Sequence, residues 1–165
     1  MSRIRVLAVV LALGSIILGP IPAQAGSVWD PDDAAHRLDI RWVGVYQQVD
    51  GLMRVTISFH GRTRTRWFED RSNPTLTVAL AYAKAEYAQA WEVTFFRNAH
   101  HRLVALLCEL ASSCVSQARV HRLDRDTIRV RLDPFYSPFT GSYFRAWSQR
   151  PGGRLIDRTR WGIVT

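Results

Sequence analysis

The chain has 165 residues, 47% hydrophobic and 22% charged, with 22 Lys+Arg against 14 Asp+Glu and a formal net charge of +8. This size and composition exclude a disordered polyelectrolyte and a large multi-domain protein, and they suit one domain with a substantial core. The basic balance favours acidic partners such as anionic headgroups, envelope polymers or nucleic acid, although charge supplies solubility as readily as it selects a partner.

The N-terminus has the pattern of a secretory signal. Arg3 and Arg5 precede an apolar run of 14 residues, VLAVVLALGSIILG, and Ala23-Gln24-Ala25 offers small residues for cleavage after Ala25. The run is shorter than the roughly 20 residues that span a bilayer as a helix. Residues 1–25 are therefore expected to be a signal peptide and residues 26–165 a single secreted, extracellular domain with no transmembrane span after cleavage. That domain keeps 20 basic and 14 acidic residues, a net charge of +6.

DPDDAAHRLDI, residues 30–40, opens the remaining chain. Asp30, Asp32, Asp33 and Asp39 are hard oxygen donors of the kind Ca²⁺ takes, and Asp157 near the C-terminus completes a candidate set. The spacing is not an EF-hand, and Asp-Pro-Asp-Asp also serves ordinary loop capping, so no cofactor is required and calcium is the alternative.

The first clear hairpin lies around Asp50-Gly51, the preferred pair for a two-residue type I′ turn. Such a turn sets Tyr46 opposite Val55, Gly44 opposite Ile57 and Trp42 opposite Phe59. One face then holds Ile40, Trp42, Gly44, Tyr46, Val55, Ile57 and Phe59; the other holds Arg41, Val43, Val45, Gln47, Arg54, Thr56, Ser58 and His60. HGRTRTRW follows. A strand there would align Arg62, Arg64 and Arg66 on one side, either as a row for phosphate or carboxylate or as a charged edge that resists aggregation. No nucleic-acid reader motif accompanies it, which disfavours nucleic acid as a partner.

Residues 74–91 read as a strand from the alternation of Val78, Leu80 and Tyr82, with a short helix near 75–90 as the alternative. WEVTFF (91–96) and RLVALLC (102–108) are two more strands. Cys108 and Cys114, the only cysteines, sit close in sequence in an exported chain, which points to a structural disulfide rather than a metal or redox pair. Ala118 and Val120 align with Ile128, Val130 and Leu132 of TIRVRL only across an odd-numbered loop, Leu123–Arg125 or Leu123–Thr127. Phe135, Tyr136, Phe139, Tyr143 and Phe144 surround a Pro/Gly-rich loop before the strand SYFRAW (142–147). Those rings can stack on sugar faces or plug the open end of a sandwich.

About eight short strands with closely spaced turns make an all-β, antiparallel sandwich or jelly roll, with Trp42, Trp67, Trp91 and Trp147 in its core. No nucleophile elbow, zinc-protease helix or phosphate loop is present. Paired carboxylates from Glu86, Glu92 or Glu109, or a histidine set from His60, His100, His101 and His121, remain imaginable but unsupported, so the reading leans away from an enzyme.

The segment carrying Asp30, Asp32, Leu38, Asp39, Ile40 and Arg41 resembles the start of a group of secreted actinobacterial domains of unassigned activity, similar in plan to jelly-roll carbohydrate-binding modules. The resemblance implies a β-sandwich and export and carries no catalytic residues. The expected function is a non-catalytic secreted module binding a glycan or an anionic envelope polymer; the alternatives are a small hydrolase and a purely structural envelope protein.

Overall fold

A computed structural model describes residues 24–34, 38–48, 52–73, 75–81, 84, 89–109, 114–132, 142–150 and 152–165. Among them lie twelve strands: β1 (Gln24–Trp29), β2 (Ile40–Gln47), β3 (Met53–Phe59), β4 (Leu76–Ala81), β5 (Gln89–Arg97), β6 (Leu103–Glu109), β7 (Cys114–Arg119), β8 (His121–Arg122), β9 (Thr127–Leu132), β10 (Tyr143–Gln149), β11 (Leu155–Arg158) and β12 (Gly162–Ile163). They form two antiparallel sheets. Sheet A has the order β1-β2-β3-β9-β8; sheet B has the order β11-β10-β4-β5-β6-β7, with β12 also paired to β10. The one helical turn among the described residues is the 3-10 segment Thr65–Trp67.

Both sheets are knitted by segments distant in sequence. The β2–β3 hairpin leads into the β4–β7 meander, and the chain then returns so that β9 pairs with β3 and β10 with β4. The core between the sheets is apolar: Val43, Val45, Val55, Ile57, Ile128 and Val130 from sheet A face Val78, Leu80, Val93, Phe95, Leu107 and Phe144 from sheet B. Residues 76–81 form a strand, because Leu76, Val78 and Leu80 alternate into this core with at most 1% exposure. At the other turn Arg122 sits opposite Ile128 and Leu123 N–H donates to the Thr127 carbonyl at 3.0 Å, so the loop parity is odd.

The first hairpin differs from its expected register by one residue. Val45 faces Val55, Val43 faces Ile57, and Gln48 N–H bonds the Leu52 carbonyl at 2.9 Å, which leaves three residues, 49–51, between the closing pair. Those three lie outside the described residues. Since side chains alternate strictly, a one-residue slip turns a strand over. Val43 and Val45 therefore enter the core, and Trp42, Gly44 and Tyr46 move to the outer face. A bulge between Ile40 and Trp42 returns Ile40, 0% exposed, to the inside. Trp147, likewise expected in the core, lies half-buried on the outer face of sheet B.

The arginine row does not form a strand. Thr63 is pinned instead: its N–H donates to the Arg125 carbonyl at 3.0 Å, and its carbonyl and hydroxyl both accept from the Arg122 guanidinium at 2.8 Å. This holds the connection against the β8–β9 turn.

Cys108 and Cys114 form a disulfide between adjacent positions of β6 and β7. Closing so short a loop constrains the unfolded chain by only about 2 kcal/mol. Replacing both cysteines with serine should lower the unfolding free energy by about that much and leave the circular-dichroism spectrum unchanged; a loss below about 0.5 kcal/mol in urea titrations would contradict this.

Candidate functional site

Two constellations stand out, one on a face and one at an edge. The first follows directly from the turned-over β2. On the outer face of sheet A, cross-strand rows run Trp29–Trp42–Ser58–Thr127, Ser27–Gly44–Thr56–Arg129 and Ala25–Tyr46–Arg54–Arg131. Trp29 is 63% exposed, its ring centroid 6.3 Å from that of Trp42. The Trp42 indole folds back along its own strand over Gly44, where an added Cβ would lie 2.5 and 2.7 Å from ring carbons. Only a residue without a side chain leaves that seat open. Arg54 places its guanidinium 5.5 Å from the Tyr46 ring centroid, and Arg129 Nε donates to the Thr56 hydroxyl at 3.2 Å. Ser27, Trp42, Gly44, Tyr46, Arg54 and Arg129 line an open groove of about 390 Å³.

Flat rings seated among arginine and hydroxyl donors can pack on the apolar C–H face of a sugar while binding its hydroxyl or carboxylate groups. The signal that locates this face in the sequence is the alternation of Trp42, Gly44 and Tyr46. It is visible there but assigned to the wrong side by a two-residue turn.

The second constellation lies where the β1–β2 connection meets the edge strand β11. Asp30, Asp33 and Asp157 each bring a carboxylate oxygen within 4.8 Å of the others. Asp157 reaches across from sheet B: its Oδ2 accepts the Ile40 N–H at 2.6 Å and its Oδ1 accepts the Arg158 N–H at 2.6 Å. Ser148, paired with Asp157 across β10 and β11, donates to the Leu38 carbonyl at 2.9 Å. His60 Nε2 lies 3.1 Å from the Asp30 carbonyl, and the His60 N–H donates to the Asp39 carbonyl.

Asp30, Asp39 and Asp157 are 8%, 2% and 6% exposed, whereas Asp33 is exposed. Burial, then the neighbouring Asp157, pushes Asp30 up to about 7. Burial, then the Asp32 carboxyl, pushes Asp39 up to about 6. Burial also raises Asp157, opposed by its two backbone donors. These carboxyls have the shifts of acid–base groups, but burial this deep denies them to a bulky substrate.

The remaining sequence candidates are dispersed. Arg62 and Arg64 are exposed and line an open basic cleft of about 600 Å³ with Arg122 and Arg125, tempered by Asp124; Arg66 is exposed in the 3-10 turn and is not part of that lining. Tyr143 is half-buried, with the Lys84 ammonium 5.3 Å from its ring centroid. Phe135, Tyr136 and Phe139 lie outside the described residues. Phe144 is wholly buried. Among the described residues, the group that brings together three metal-ligating side chains consists of aspartates, without histidine.

No family model matches this chain, and no curated protein or solved structure matches it either; the fold itself is a sandwich of two antiparallel sheets.

Proposed function

We propose that this is an exported, non-catalytic β-sandwich module that binds a glycan of the cell envelope or environment along the outer face of sheet A. The observation that carries the reading is the Trp42 ring laid over Gly44, beside the exposed Trp29 and between arginine and hydroxyl donors. The Trp42 indole, half-buried over Gly44, forgoes part of the roughly 1.5–3 kcal/mol that full burial gives a large apolar side chain. A sugar face stacked on it recovers part of that loss. The adjacent arginines, with the domain's net positive charge, favour acidic over neutral glycans.

The test is titration of the chain with neutral and acidic polysaccharides, read by intrinsic tryptophan fluorescence and by retardation in affinity gels. Trp42→Ala should weaken binding at least about tenfold. Gly44→Ala, which forces the Trp42 ring off its seat, should weaken binding comparably with little loss of stability, because the clash is with the mobile end of a side chain. Absence of binding across the panel, or binding unaffected by both substitutions, refutes the reading.

A further inference from the structure

We propose that Asp30, Asp33 and Asp157, backed by Asp39, form a binding site for one hard divalent cation, best suited to Ca²⁺. This site is separate from the aromatic face and does not depend on the glycan reading.

Three carboxylate oxygens within 4.8 Å of one another fit ligands of a single ion held at about 2.3–2.6 Å. An acidic cluster alone would carry little weight, but here buried lone pairs lack donors. Asp30 is 92% buried, and among the described residues nothing donates to its Oδ2. Buried carboxylate oxygens without a donor are costly, and native structures leave few of them. None of Asp30, Asp33 or Asp157 makes an ion pair with a described lysine, arginine or histidine. A cation satisfies Asp30, Asp33 and Asp157 together and replaces their mutual repulsion with attraction. The all-oxygen donor set favours Ca²⁺ over softer metals, and the irregular connection supplies the flexible geometry Ca²⁺ tolerates.

The position gives the ion a structural task. Asp30 and Asp33 belong to the β1–β2 connection of sheet A, while Asp157 belongs to β11 at the edge of sheet B. Asp157 already bridges the sheets through Ile40, across 117 residues of sequence. An ion shared by all three ties the sandwich shut at this edge.

The experiment compares the metal-stripped chain in EDTA, CaCl₂ and MgCl₂ at pH 7.5 and matched ionic strength, by thermal melting and titration calorimetry. The expected result is one Ca²⁺ per chain and a melting temperature raised by about 5 °C or more at saturating CaCl₂. Asp33→Asn, an exposed ligand whose change spares the core, should weaken Ca²⁺ at least tenfold while holding or slightly raising the EDTA melting temperature, because it removes a like charge beside Asp30 and Asp157. Equal melting in all three solutions with no heat of binding overturns the proposal. So does a Ca²⁺ shift of the same size in wild type, Asp33→Asn and Asp30→Asn, because the ion would then bind elsewhere.

Discussion

Phe144→Ala is expected to lower the unfolding free energy by about 3–5 kcal/mol, the largest single-residue effect foreseen in this domain. The ring is fully buried and lies where the two sheets close on each other through β1 and β12. Two glycines make room for it. An added Cβ on Gly162 would collide with the ring tip, lying 2.5 and 3.0 Å from its Cε1 and Cε2; one on Gly26 would collide with the Ile163 carbonyl and lie 2.9 Å from Cε1. Truncating the ring opens a cavity that the paired backbones of β10, β4 and β12 cannot collapse to fill.

The converse substitution, Gly162→Ala, overpacks the same spot and should cost about 1–3 kcal/mol. In a Phe144→Leu background it should cost clearly less, because the clashing ring atoms are gone. Urea unfolding of the four proteins measures that coupling. A Gly162→Ala cost within about 0.5 kcal/mol of zero, or additive effects in the double variant, would contradict the account.

With EDTA present, the melting temperature should fall as pH rises from about 5 to about 8. Asp30 holds its proton up to about 7 in the fold but only to its ordinary 3.8 when unfolded, and Asp39 behaves likewise up to about 6. Between those limits the folded chain carries protons the unfolded chain has released, so each increment of pH favours unfolding. Below 3.8 the two states are equally protonated and no penalty exists; above about 7 both are ionised and the penalty is complete.

The groups facing these carboxyls are Asp32, Asp33 and Asp157, which raise them, and His60, which opposes the rise at Asp39. After allowance for solvent screening the loss is on the order of 2 kcal/mol. Asp30→Asn should flatten most of this slope. A melting temperature that is level or rising over pH 5–8 in EDTA would show that the carboxyls ionise without cost.

Much of the architecture was legible because it rests on local alternation. Val55, Ile57 and Phe59 on β3, Val78 and Leu80 on β4, and Ile128 and Val130 on β9 each announce a core face at period two, and all of them lie in the core. The disulfide was legible for a related reason: two cysteines six positions apart, flanking strands, have nowhere else to pair.

The face of β2 was not legible. Asp-Gly fits both a two-residue turn and a longer loop, and the choice reverses every side chain beyond it. The strand's own residues do not decide, because Trp42, Gly44 and Tyr46 form as plausible an apolar row as Val43 and Val45. Packing decides: the two valines fit against the opposite sheet, and Trp42 fits flat over Gly44 outside it. The arginine row misled in the same way. Its alternation imitates a strand, while Arg122, some 59 residues away, holds Thr63 out of either sheet.

By itself, the sequence determined the class of fold, the strands from β2 to β10 and the covalent staple, since each depends on side-chain period or nearness along the chain; β1, β11 and β12, short or at the sheet edges, carry no such signal. Only the tertiary structure decided which tryptophans face solvent and which aspartates meet. A face depends on a register that one loop residue can reverse. Asp157 reaches Asp30 and Asp33 only because β11 takes the edge of sheet B beside the start of β2.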